Sequence, residues 1–195
     1  MKNCLIIILV LLSSGVWGIS GKECLENVKE NYESLKSLEL VLDYSLYKGY
    51  SSTEVVDSYQ STFKMAEGNS YRKLYHDEFI TNDNLSLNIN HEQRIIQISK
   101  PVEEHLIDQD LSGNLEHCRD IRIYEGEDGN RTILLSFKNF SSIPYTNVKV
   151  RVDEGFWIER ITFFYATQLN FSGSYFESEL DQPKLVVDYS ELKKH

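Results

Sequence analysis

The sequence predicts a mainly β domain of the α+β kind: an antiparallel meander with one N-terminal helix and one short helical insert. Period-two alternation is the first ground. Leu38, Leu40, Leu42, Tyr44 and Leu46 occupy alternate positions, and after Lys48-Gly49-Tyr50-Ser51-Ser52 the residues Val55, Tyr59, Phe63 and Met65 share one parity. That period marks half-buried antiparallel strands. The second ground is the connections, which are short and polar and suit hairpins rather than βαβ crossovers. The third is that helical spacing occurs in only two places after the leader, Glu23 to Ser37 and Val102 to Leu111.

Taken in order, residues 1–18 have the layout of a secretory signal peptide. Lys2 gives a positive start, Leu5 to Leu12 is apolar, and Ser13-Ser14-Gly15-Val16-Trp17-Gly18 supplies small residues for cleavage after Gly18 or Ser20. The apolar run is short for the ~20 residues of a spanning helix. No cysteine stands where a lipid attachment would need one, so the expected product is unlipidated and periplasmic or secreted. Residues 19–195 are expected to form a single domain. Its helix places Leu25, Val28, Tyr32 and Leu35 on one face.

The strands of Leu38 to Met65 are followed by a turn at Glu67-Gly68-Asn69 and a strand from Tyr71 to Ile80. Asn82-Asp83-Asn84 turns again, Leu85, Leu87 and Ile89 alternate with polar residues, and Arg94 to Ile98 is the next strand. Pro101 interrupts, and Val102 with Leu106, and Ile107 with Leu111, form i, i+4 pairs of a short helix ended by Ser112-Gly113-Asn114. Strands resume over Cys118 to Glu125. The Asp128-Gly129 turn leads to Arg131 to Phe137, where Ile133, Leu135 and Phe137 alternate. Val148, Val150 and Val152 form another strand, Phe156 to Tyr165 the next, and Lys184 to Tyr189 the last, with 166–183 reading as irregular.

Composition restricts the function. The net charge of -10 disfavours nucleic acid and anionic headgroups as partners. No phosphate loop, dinucleotide glycine motif, nucleophile elbow or HExxH pair occurs, so no cofactor, metal or catalytic residue is assigned and a non-enzymatic role is expected. His76-Asp77-Glu78 points to alternate faces of a strand, His117 lacks a zinc-spaced partner, and the acids of 125–130 lack calcium-loop spacing. Four Asn-x-Ser/Thr triplets begin at Asn84, Asn130, Asn139 and Asn170, and a chain this rich in Asn and Ser produces several by chance. Cys24 and Cys118 remain after cleavage; an oxidising compartment permits a disulfide between them, and two buried thiols are the alternative. Tyr (12) and Phe (9) are abundant enough either to line an apolar pocket or to serve as plain sheet core.

This order of leader, helix, long meander, helical insert and further strands resembles the periplasmic outer-membrane lipoprotein carrier (LolA-like) family. The likeness also rests on Tyr32-Glu33-Ser34-Leu35-Lys36-Ser37-Leu38 entering the first strand and on Tyr59 to Met65 ending at a turn. The resemblance implies a curved, unclosed barrel of LolA/LolB type with an apolar cavity and a helical lid. Here the insert is one short helix, where the family builds a larger lid, and no family site is carried over.

The expected ligand cavity is Leu40, Leu42, Tyr44, Tyr59, Phe63, Leu87, Ile89, Leu135 and Phe137, and the expected lid is Val102, Leu106, Ile107 and Leu111. The function this implies is a soluble, monomeric carrier or binding protein for an acylated protein or lipid-like apolar ligand, with membrane-bound donor and acceptor proteins. The competing expectation is a protein-interaction module whose core is permanently filled.

Overall fold

The structure is a computed structural model that describes residues 19–101, 115, 117–138, 144–166, 169–170, 179–180 and 182–194. The leader, the insert residues Val102, Leu106, Ile107 and Leu111, and most of 166–183 lie outside the described residues.

Helix α1 spans Gly21–Glu33. It starts two residues before the sequence expectation because Ser20 caps it: the Ser20 hydroxyl accepts from the Glu23 amide at 3.1 Å. The helix ends at Glu33 because the Ser34 amide already closes the last turn on Glu30. Its buried face is Gly21, Cys24, Val28 and Tyr32.

One sheet of 11 strands follows, in the order β6-β5-β4-β3-β2-β1-β13-β10-β9-β8-β7, and every pairing in it is antiparallel. The first meander is β1 (Ser37–Tyr47), β2 (Val55–Ala66), β3 (Asn69–Leu74), β4 (Asp77–Thr81), β5 (Ser86–Asn90) and β6 (Ile95–Ser99). The second is β7 (Cys118–Glu125), β8 (Arg131–Phe137), β9 (Tyr145–Val152) and β10 (Ile158–Tyr165), and β13 (Lys184–Lys194) joins it to β1. Leu169–Asn170 (β11) and Glu179–Leu180 (β12) pair separately. The edges β6 and β7 do not pair with each other, so the barrel is unclosed.

Two turns and a bulge explain where the expected boundaries moved. Glu67 and Gly68 both have positive φ (49° and 76°), the conformation of a tight hairpin turn whose twist matches that of its strands. The segment read as one strand from Tyr71 to Ile80 is two, split at Tyr75, which adopts φ 52° with none of the usual turn residues. β13 runs to Lys194, past the expected Tyr189, because a bulge at Ser190 restores its pairing with β1.

One core cluster unites Val28 and Tyr32 of α1 with Leu38, Leu40, Phe63, Ile133, Leu135, Val148, Val150, Ile161 and Val187. The strands that supply these residues are neighbours in the sheet, and α1 packs on the face they share. Gly21 sets the closest approach: a Cβ there would lie 2.6 Å from the Ile121 Cγ2 on β7. The β9–β10 turn meets the other end of the helix, where Asn31 Nδ2 donates to the Gly155 carbonyl at 2.7 Å and Tyr32 packs edge-on against Trp157 at 5.2 Å.

Leu40 is 0% exposed and Ile98 is 71% exposed. Leu40→Ala is therefore expected to cost about 2–5 kcal/mol. Ile98→Thr is expected to change stability by no more than about 0.5 kcal/mol. Denaturant melts of the two variants measure both.

Candidate ligand-binding face

Residues directly opposite in an antiparallel ladder share a face of the sheet, so the register shows what lines the inside. One inner row runs Tyr59–Tyr44–Val187–Ile161–Val150–Ile133–Ile123 across β2, β1, β13, β10, β9, β8 and β7. The next runs Leu46–Leu185–Phe163–Val148–Leu135–Ile121. Both rows are apolar or aromatic throughout.

Toward the other edge the same face turns polar. Leu40 and Phe63 are followed by Arg72, Phe79, Asn88 and Gln97, and Ser61 by Leu74, Asp77, Asn90 and Ile95. Helix α1 lies over the apolar half.

Beyond α1, the interior is lined by aromatic rings. Tyr44 and Tyr59 stack at 4.4 Å with an interplanar angle of 8°. Tyr75 continues the group, 4.7 Å from Tyr59, and its positive φ is the backbone distortion that puts it there. Across the sheet Phe137 contacts Tyr145 at 5.2 Å, and Tyr145 contacts Phe163 at 5.4 Å. Tyr44, Tyr59 and Tyr75 are half-buried, whereas Leu40, Leu135 and Val148 are fully buried. The aromatic end is thus an open continuation of the core.

The expected cavity residues divide between two faces. Leu40, Leu42, Phe63, Leu135 and Phe137 come together in the main core cluster, with Tyr44 packed against it. Tyr59 packs on Leu46 beside it. Leu87 and Ile89 do not join them. Leu87 stands opposite Ile80 and Ile98, and Ile89 opposite Glu78 and Ile96, all on the outer face. The error came from carrying one apolar parity through every strand: alternation separates two faces but does not say which is inner. The expected lid residues Val102, Leu106, Ile107 and Leu111 lie outside the described residues.

The disulfide alternative is not formed. Cys24 and Cys118 are free thiols. Cys24 lies on the buried face of α1, and Cys118 Sγ turns to the carbonyls of Asp120 (3.2 Å) and Ser136 (3.4 Å). Burial pushes both thiols up, which keeps them protonated and unreactive.

Two interior residues carry no local sequence signal. Arg72 sits between Phe63 and Phe79 on the inner face. Ser61 is 1% exposed with no hydrogen-bond partner for its hydroxyl among the described residues. Locating either from sequence requires the β2–β3 register.

No family model matches the chain, and no curated protein does. Among solved structures it is similar to an uncharacterized conserved protein from Thermus thermophilus, with 9% identity, 89% of this chain and 86% of that chain covered, and a TM-score of 0.49. It is similar to a putative outer membrane lipoprotein-sorting protein domain from Vibrio parahaemolyticus, with 11% identity, coverage of 89% and 91%, and a TM-score of 0.39. A LolA superfamily protein from Nitrosomonas europaea shares 14% identity, with coverage of 91% and 94% and a TM-score of 0.36. Lipoprotein-sorting and LolA superfamily proteins thus stand among its structural neighbours.

The buried phenols give the interior an alkaline limit. Burial raises the Tyr32 hydroxyl, with Asp153 adding to the effect, and burial next to Tyr44 raises Tyr59 further. The folded state therefore holds these protons more tightly than the unfolded chain, whose phenols release them near pH 10. Their contribution is complete below that pH and falls as pH rises through it. The expected outcome is alkaline unfolding above about pH 10, with phenolate absorbance and loss of the β circular-dichroism signal rising together.

Proposed function

We propose that this is an exported, soluble binding or carrier protein that holds an acyl chain or a comparable apolar group on the inner face of its open barrel. One observation carries the proposal: the row from Tyr59 to Ile123 is buried where α1 covers it and half-open at its Tyr44–Tyr59–Tyr75 end. An acyl chain entering there continues an existing core. Each buried CH₂ contributes about 0.8 kcal/mol, so affinity needs no charged anchor. Loading and release would involve donor and acceptor proteins at a membrane, and the acidic surface would limit adhesion to anionic lipid.

The rival reading, an interaction module with a permanently filled interior, draws on α1. Cys24, Val28 and Tyr32 are 0%, 2% and 5% exposed, so that part of the interior is already occupied. The two readings differ over the aromatic end alone. Purified protein is expected to yield acyl species on lipid extraction and mass spectrometry, and to take up a fluorescent fatty acid. Tyr44→Ala with Tyr59→Ala is expected to weaken that uptake by about tenfold or more, since each buried ring contributes roughly 1.5–3 kcal/mol. No uptake by the parent protein, with a native melting curve, favours the filled module.

The leader bears on the same proposal. Cleavage after Gly18 leaves Ser20 to cap α1, whereas cleavage after Ser20 removes the cap and costs roughly 1 kcal/mol. Intact mass of exported protein is expected to correspond to a chain beginning at Ile19 with no lipid adduct.

A further inference from the structure

Arg72 is the one cation among the strand residues of β2 to β6 that faces inward. The register places it between Phe63 and Phe79, in the inner row that begins at Leu40. It is half-buried, and its guanidinium makes no hydrogen bond or ion pair among the described residues. A guanidinium is a rigid fork of N–H donors, and taking it out of water without an acceptor is unfavourable. The two acids on the same face have donors of their own. Asn90 Nδ2 donates to Asp77 Oδ1 at 2.7 Å, and the Tyr75 hydroxyl is hydrogen-bonded to Asp57.

A second unpaired donor stands beside it. Ser61 lies in the next inner row, opposite Leu42 and Leu74, and is thus a diagonal neighbour of Arg72 across the β2–β3 ladder. Diagonal neighbours are about 7–8 Å apart, within reach of a long side chain. Ser61 is 1% exposed and its hydroxyl has no partner among the described residues, which native interiors seldom allow. Tyr59, at the open tyrosine end, ties the pair to the opening. Burial and Tyr44 raise its hydroxyl, and Arg72 is close enough to oppose them. An unpaired guanidinium and an unpaired buried hydroxyl therefore adjoin the open end of the apolar face. One oxyanion satisfies both, accepting two N–H groups from the fork and the O–H of Ser61. Ser61 is covered in the free protein, so its contact forms only as the side chains around it give way to the ligand.

We infer that Arg72 and Ser61 receive the anionic head of a single-chain amphiphile whose acyl chain lies against Tyr44 and Tyr59. This rests on the acyl-binding function proposed above and adds the class of head group. A free acyl anion or an alkyl phosphate carries such a head, whereas an acyl chain held in an ester or amide has no charge at that position. Carboxylate and phosphate share the required chemistry, and the choice of probes separates them.

Isothermal titration of the full exported chain at neutral pH with dodecanoate, dodecyl phosphate and dodecyl maltoside provides the test. At least one of the two anions is expected to bind about tenfold or more tightly than the uncharged maltoside, as charge-assisted contacts to a guanidinium require. The tighter of the two identifies the head group. Arg72→Gln is expected to bring the three affinities together, and Ser61→Ala to reduce the preference in part. Arg72→Lys, which keeps the charge but loses the fork, is expected to retain a weaker preference and serves as a second variant should the first misfold. Equal affinity for all three compounds in the parent protein overturns the head-group site and leaves acyl binding standing. A preference that survives Arg72→Gln undiminished overturns the assignment to Arg72. Failure of all three to bind the folded parent overturns both proposals.

Discussion

The structure depends on the pairing of its first strand with its last. β1 is the middle member of the sheet, hydrogen-bonded to β2 on one side and to β13 on the other. The ladder from Leu38↔Lys194 to Tyr47↔Lys184 joins two meanders that share no other strand pairing among the described residues. Each meander alone would leave an apolar face exposed; once joined, they wrap that face around α1. The cost is loop closure over nearly the whole chain before these contacts form, which makes folding slower than for a locally connected β fold. The uninterrupted apolar alternation of β1, with Leu38, Leu40 and Leu46 at 3%, 0% and 0% exposure, is the compensation.

The apolar face of the sheet changes sides across its width. From β7 to β2 it faces inward, but over β4 to β6 Ile80, Leu87, Ile89, Ile96 and Ile98 share the outer face, while Asn88, Asn90 and Gln97 share the inner one. Arg72 and Asp77 stand where the change occurs. An interior built this way is graded, from a filled apolar half under α1 through the half-open tyrosines to a polar margin.

How much of this was legible in the sequence depended on whether the signal was local. The alternation of β1 and β2 and the hairpin at Asp128-Gly129 are local, and they read correctly; on α1 Val28 and Tyr32 are buried as expected, but Cys24 rather than Leu25 completes the face and Leu35 lies beyond the helix. The N-cap signature Ser20-x-x-Glu23 is also local, and it marks the true start of α1 two residues before the expected start at Glu23. The β3–β4 turn at Tyr75 was illegible because it uses a left-handed tyrosine in place of Gly, Asn or Asp. Leu87 and Ile89 were misplaced because the facing of a strand belongs to its register with neighbours. The separation of Cys24 from Cys118 is a tertiary fact that spacing could not supply.

The bulges show that some of the missing information was present in another form. Inward residues change parity at Cys118 to Ile121, Tyr145 to Val148, Ile158 to Ile161 and Tyr189 to Leu192, and each change spans three positions instead of two. At each of these steps the register shifts, leaving Arg119, Thr146, Glu159 and Ser190 as the extra residues. A three-residue step inside an alternating strand is thus the sequence mark of a bulge in this fold. The physical reason is direct: an apolar residue on the wrong parity would face solvent unless the backbone absorbs one extra position. These four extra residues are polar, since they leave the ladder without having to fill the core; at a fifth shift, between β1 and β2, the extra residue is the exposed Val56. The same bulges increase local twist and so help a sheet this wide to curl. Curvature therefore has an origin that can be read in the sequence.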